Sequence, residues 1–112
     1  MTRDLVVVDG TALKDWDSFH HEFARLFGFP EWYGKNMDAW IDCMSSLASP
    51  EDGMSSVHCP EGQVVTLKIG HAAELKAERW EIFSALLECA GIVNQRQVAI
   101  GKPPVLALAF NV

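Results

Sequence analysis

Asp38 and Asp42 stand four residues apart in the stretch NMDAWIDC, residues 36–43. On a helix that spacing puts both carboxylates on one face, where like charges destabilise by roughly 0.2–0.5 kcal/mol. No lysine or arginine lies between Asn36 and Leu47 to offset them. A segment selected for folding alone is expected to relieve that repulsion. Two chemistries would keep it. A carboxylate pair could act as general acid and base, which needs a cleft and usually a partner base or metal. The same pair could instead present negative charge to a cationic cleft. A carboxylate mimics a pair of phosphate oxygens and accepts charge-assisted, often bidentate, bonds from arginine. One surface helix face supplies no cleft. The chain also lacks a glycine-rich phosphate loop, a nucleophile elbow and an HExxH motif. Catalysis is therefore disfavoured, and no enzyme activity is expected.

The overall balance agrees with a basic partner. Fifteen acidic residues against nine basic give a net charge of −6. Nucleic-acid binding needs clustered Lys and Arg, which this balance argues against. Opposite fields speed and orient encounter with a basic protein. The cysteines Cys43, Cys59 and Cys89 are odd in number and lack CxxC spacing. They fit neither a disulfide framework nor a zinc site, so reduced thiols are expected. His58 beside Cys59 offers two ligands in a loop, too few for zinc. No metal or cofactor is expected. Thr2-Arg3-Asp4 and a four-residue apolar run do not read as a signal peptide. No apolar stretch reaches the length that spans a bilayer. A cytoplasmic protein without membrane contact is expected.

The elements that must hold Asp38 and Asp42 follow from periodicity. Leu5-Val6-Val7-Val8 is continuous, β-branched and apolar, and closes at Asp9-Gly10. Such a run suits a strand buried on both faces, as in parallel sheets. Trp16, Phe19, Phe23, Leu26 and Phe27 recur at helical spacing, and Gly28 is a stop. Residues 29–36 read as a loop with adjacent aromatics Trp32 and Tyr33. A second helix starts at the N-cap Asn36 and runs to about Leu47, with Met37, Trp40, Ile41, Met44 and Leu47 inward. Residues 48–62 read as a surface loop, and 63–69 as a strand. Residues 71–94 read as helix, where a break near Ala77 is compatible with the pattern. Residues 95–104 read as a polar connection, and 105–110 as a last strand. The order is β-α-α-β-α-β. Long crossovers demand parallel pairing, so the expected fold is α/β: one domain, residues 1–112, with a three-stranded parallel sheet packed by helices.

Residues 29–43 read FPEWYGKNMDAWIDC. This resembles the signature stretch of the barstar family: Pro-Glu-aromatic-Tyr-Gly-x-Asn-hydrophobic-Asp-Ala-x-x-Asp-Cys. The match runs without a gap, and the flanking elements agree more loosely. The resemblance implies the same three-stranded parallel fold. It also implies a function: in this family the loop and second helix plug the active site of a guanyl-preferring extracellular ribonuclease. On that basis Asp42 takes the place of the central carboxylate in the substrate phosphate site. Asp38 is the second acidic contact, Trp32 replaces a stacking tyrosine, and Gly34 and Asn36 are loop contacts. The partner implied is a basic ribonuclease or related toxin, met by a monomer. Three departures stand out. Ile41 replaces a tryptophan. Ala85 falls where the last helix carries a further acid, with Glu88 one turn on as its substitute. Segments 48–62 and 95–104 are longer than in the parent inhibitor. These departures support an alternative: the fold serves as an interaction module on a basic protein that is not a ribonuclease.

Plainer roles stand beside these. Asp38 suits the dipole at a helix start, and Asp42 suits a solvated face. Gly34 suits a tight turn, and Asn36 an N-cap. Tyr33 is expected to be more buried than Trp32. His20 and His21 read as solvated, Trp16, Trp40 and Trp80 as core, and Cys43 and Cys89 as buried small hydrophobes.

Overall fold

The computed structural model describes residues 3–60 and 62–112; Met1, Thr2 and Glu61 lie outside the described residues. The chain forms β1 (Leu5–Asp9), α1 (Trp16–Phe27), α2 (Met37–Ser45), β2 (Val65–Gly70), α3 (Ala72–Glu78), α4 (Trp80–Ala99) and β3 (Leu106–Phe110). The three strands pair in parallel in the order β1-β2-β3, with Val7 opposite Lys68 and Lys68 opposite Ala109. This is the expected α/β architecture, a three-stranded parallel sheet with helices packed on it. One cluster joins Val6, Val8, Leu67 and Ile69 of the sheet to Phe19, Phe23, Trp40, Met44 and Leu86 of the helices.

The sheet is not covered on both faces. Val6 and Val8 are fully buried, whereas Leu5 and Val7 are exposed. The topology gives the reason. Right-handed crossovers that step the same way along a sheet place their helices on the same side. The opposite face stays open, and the β-branched run at the chain start packs with only alternate residues.

The segment after β2 holds two helices rather than one. Arg79, at φ −136° and ψ 56°, leaves helical geometry between Glu78 and Trp80. The break expected near Ala77 therefore falls at Arg79. α4 then runs past Asn94 to Ala99, and left-handed Gly101 (φ 77°) follows its end. Asn94 reads as a helix stop by type, but its side chain is used across the fold. Its Nδ2 donates to the Leu106 carbonyl at 2.9 Å, and its Oδ1 accepts from the Val105 and Leu106 amides at 3.0 Å each. Asn94 thus ties α4 to the start of β3.

Segment 48–62 is more than a surface loop. It carries a 3-10 turn, Pro50–Asp52. The Ser56 amide donates to the Phe27 carbonyl, the Cys59 amide donates to the Leu47 carbonyl, and Val57 is buried. Gly28, at φ 64°, ends α1 where an added Cβ would strike the Ser56 side chain. Trp40 is core as expected, but Trp16 and Trp80 are not: Trp80 is 55% exposed and Trp16 is partly so. Each opens its helix. The first residue of a helix lies at the margin of the layer, where less of the sheet covers it.

Candidate functional site

Asn36 starts α2. Its backbone is extended, at φ −140°, and its Oδ1 accepts from the Ala39 amide at 2.8 Å. That bond satisfies one of the first helical N–H groups, which have no partner within the helix. Asn36 Nδ2 also reaches back to the Gly34 carbonyl at 3.4 Å. The tight conformation expected at Gly34 falls elsewhere. The residue with positive φ in this loop is Lys35, at 53°. A Cβ on Gly34 would meet only ordinary contacts, the nearest being the Ala39 Cβ at 3.4 Å.

From Asn36 the helix buries Trp40, Ile41, Cys43 and Met44 and turns Asp38 and Asp42 outward. Ile41 is core, so its side chain offers nothing to a visitor. Cys43 is buried, and its thiol is pushed up to about 11, first by burial and then by Asp42 beside it. That thiol stays protonated and unreactive at neutral pH.

α4 lies along α2. Cys89 is buried between them, and its thiol is raised by burial first and then by the charges of Glu88 and Asp38. Asp38 lies in the first turn of α2, and Glu88 lies midway along α4. Glu88 is exposed, whereas Ala85, one turn before it, is partly covered. At the other end Gln97 is buried and its Nε2 donates to the Ser45 carbonyl at 2.9 Å, capping the end of α2.

Between these ends Asp42 is not free. Arg96 Nη1 donates to Asp42 Oδ1 at 2.8 Å. The side chains remain 59% exposed for Asp42 and 50% for Arg96. The repulsion between Asp38 and Asp42, which their own helix leaves unrelieved, is thus met from α4. Nothing near Asp42 in sequence signals Arg96. A helical pattern extended to residue 99, with Asn94 internal, would have brought Arg96 into view.

The loop before α2 is held from beneath. Trp32 is 70% exposed at its tip, while Tyr33 is buried, as expected. The Tyr33 ring packs on Phe29, with centroids 4.8 Å apart, and its hydroxyl is hydrogen-bonded to His20 Nδ1 at 2.6 Å. Burial pushes the Tyr33 phenol up. His20 is therefore not solvated: it is buried, stacked beneath Trp16 and set edge-on to Phe19. Burial holds its imidazole below the ordinary value. The periodicity carried this signal, because position 20 shares the apolar stripe with Trp16, Phe23 and Phe27. His21 is exposed, as expected.

Asp38 and Asp42 are exposed on α2, Gly34 and Asn36 lie on the loop that enters it, and Glu88 is exposed on α4. Trp32 stands on the loop that enters α2. The surface bears outward carboxylates and no enclosing cleft. Among the described residues no group of three or more His, Cys, Asp or Glu is placed to hold a metal ion. No helix of the described residues is long and apolar enough to cross a membrane.

No individual curated protein matches the chain. The family model described as Barstar (barnase inhibitor) does match, over residues 3–108. That span takes in β1, β2, all four helices, the first part of β3 and the motif at residues 29–43, and by it the chain belongs to the barstar family.

Proposed function

We propose that this chain inhibits a basic, guanyl-preferring extracellular ribonuclease by laying the Trp32 loop and the outer face of α2 over its active site. The observation that carries this reading is the outward placement of Asp38 and Asp42 within the family motif, with Glu88 exposed on α4. An enzyme that stabilises a phosphoryl transition state concentrates positive groups in its cleft. Asp42 substitutes for the substrate phosphate there, Asp38 and Glu88 take flanking cations, and Trp32 supplies flat contact area of the kind that forms hot spots. Gly34 and Asn36 offer loop backbone and amide at the margin. The chain acts as a monomer in the cytoplasm, without cofactor and without catalysis of its own.

The test is RNA cleavage by barnase in the presence of the chain. Wild type should inhibit at a one-to-one ratio, and Asp42→Ala should lose most inhibition. Full inhibition by Asp42→Ala would exclude the proposed site.

A second reading has its own support. Asp42 already has a cation in Arg96, and Ile41 is buried where the parent inhibitor has a tryptophan. The same face could then serve on a basic protein that is not a nuclease. Capture from lysate on wild type against Asp42→Ala, followed by ribonuclease assay of what is retained, separates the two. A specifically retained basic protein without nuclease activity favours the module.

A further inference from the structure

β3 is an edge strand, and the outer side of its second half is open. Its odd positions face β2: the Val105 carbonyl accepts from the Val65 amide, and the Asn111 amide donates to the Ile69 carbonyl. Backbone groups alternate sides along a strand, so Leu106, Leu108 and Phe110 turn theirs outward. At Leu106 both are taken, because the Asn94 side chain accepts from its N–H and donates to its C=O. Asn94 thus stands where one residue of a neighbouring strand would. The amides and carbonyls of Leu108 and Phe110 have no such partner among the described residues. The other edge, β1, is guarded by Asp4 and Asp9 at its ends and by the bond from the Arg3 amide to the His58 carbonyl. Residues 105–110, VLALAF, carry no charge to discourage pairing.

α4 makes a wall beside this edge. Phe83 packs on Phe110, with centroids 5.2 Å apart, and Asn94 reaches Leu106. Phe83, Leu87, Ala90 and Asn94 recur three or four apart, so they form one uncharged row along β3. Leu87 in that row is exposed, and so is Phe110. The row lies on the flank of α4 away from α2. Asn94 and Arg96, two positions apart, point about 200° apart round the helix, one to β3 and the other to Asp42. Past Phe110, wall and edge end in a hollow of about 270 Å³, lined by Ala72, Ala73, Lys76, Phe83, Phe110 and Val112. That is less than the roughly 300–1,000 Å³ of a small-molecule site and suits one apolar side chain. Lys76 is the one charged side chain lining it. The acids of α3, Glu74 and Glu78, lie 4.0 and 3.5 Å from Arg79 instead. No acid stands three or four positions from Lys76, so its charge is unmatched.

We propose that the outer edge of β3 binds an extended segment of another protein as a fourth strand. An apolar residue of that segment fills the hollow beside Phe83 and Phe110, and a carboxylate next to it meets Lys76. Three complements fix this occupant. Open backbone donors and acceptors call for extended backbone, which supplies affinity through main-chain bonds. Exposed Leu87 and Phe110 call for apolar side chains at alternate positions, which supply selectivity. Lys76 calls for an acid, and a second copy of β3, which is uncharged, brings none. The edge is separate from the acidic face of α2, so the inference does not rest on the inhibitory reading. Both surfaces can be occupied together.

The test is amide chemical shift and hydrogen exchange of the full chain, titrated with the peptide acetyl-Thr-Val-Thr-Val-Thr-Phe-Glu-amide. Two further copies are N-methylated at alternate residues, one in each register. Exchange at the Leu108 and Phe110 amides should slow by about tenfold or more, with shifts confined to β3 and the Phe83–Asn94 row. One N-methylated copy should lose binding and the other keep it, because only one set of amides faces β3. Lys76→Gln, or Gln for Glu in the peptide, should weaken binding several-fold, and Leu87→Lys with its melting intact should lose most of it. Barnase inhibition should be the same with and without bound peptide. The inference is overturned by unchanged exchange at Leu108 and Phe110 under millimolar peptide, or by binding that survives both N-methylated forms. Competition between peptide and barnase would also overturn it. So would protection that grows with the chain's own concentration in the absence of peptide, which would make a second copy the occupant.

Discussion

Arg96 on α4 and Asp42 on α2 are 54 positions apart in sequence and 2.8 Å apart in space. The contact joins the two helices of the proposed face and sets the electrostatic character of its centre. Because both side chains are about half exposed, water and salt weaken the pair.

Arg96→Ala should therefore cost little stability, about 0.2–1 kcal/mol. Urea unfolding of wild type and variant measures this directly. A loss beyond about 2 kcal/mol would mean that the pair is structural, and its effect on binding would need to be re-read.

Association with a basic ribonuclease should slow as salt rises, since steering between opposite fields is screened over about 10 Å at 0.1 M ionic strength. Charge reversal should discriminate within the chain. Asp42→Lys should reduce affinity by about 2–5 kcal/mol, whereas Glu51→Lys, on the Pro50–Asp52 turn, should change it by less than about 1 kcal/mol. Stopped-flow association across a salt series checks both. Equal losses from the two reversals would move the site elsewhere.

His20 gives the fold a pH dependence whose sign can be worked out. Burial depresses its folded value below 6.5, the value near which it titrates when unfolded. Between those values the unfolded chain binds more protons, so stability rises with pH. The contribution is complete above about pH 6.5 and is lost as pH falls through the window beneath it. Urea midpoints at pH 7.5 and 5.0 should differ for wild type and differ less for His20→Gln. Parallel slopes in the two proteins would remove His20 as the cause.

Asn94→Ala should be among the costliest single changes outside the apolar core. It strands the Val105 and Leu106 amides and the Leu106 carbonyl at the point where β3 begins. Unsatisfied backbone groups cost about 1–3 kcal/mol each when buried. These are only partly buried, so a total near 3 kcal/mol is expected. A midpoint within 1 kcal/mol of wild type would mean that water replaces all three bonds.

Gly34→Ala separates contact from geometry in the loop. Its φ is not positive and its Cβ position is open, so the melting temperature should stay within a few degrees. Any loss of affinity then reports a methyl group intruding at the interface. A large drop in stability would instead show that this loop needs glycine at that position.

Much of the fold was legible because strands and helices differ in period. The parallel order came from the long crossovers, and α1 and α2 came from aromatic spacing and from Asn36. What stayed hidden was mostly action at a distance. Asn94 is a poor helix former in isolation and Gln97 carries no apolar signal, yet both sit inside α4 with partners in β3 and α2. Arg96 was invisible for the same reason. His20 was misjudged by residue type although its position on the stripe pointed inward. The open sheet face was misread because a continuous apolar run is compatible with one-sided as well as two-sided cover. The outward turn of Asp38 and Asp42 was legible, since four-residue spacing on an amphipathic helix leaves them no other direction.

The amide of Gln97, seated on the last carbonyl of α2, has a kinetic consequence. It ties two helices into one plate, so the end of α2 is held before a visitor arrives. Little conformational freedom remains to be frozen at docking. Competing ligands should then meet this plate at similar speeds and differ chiefly in how long they stay.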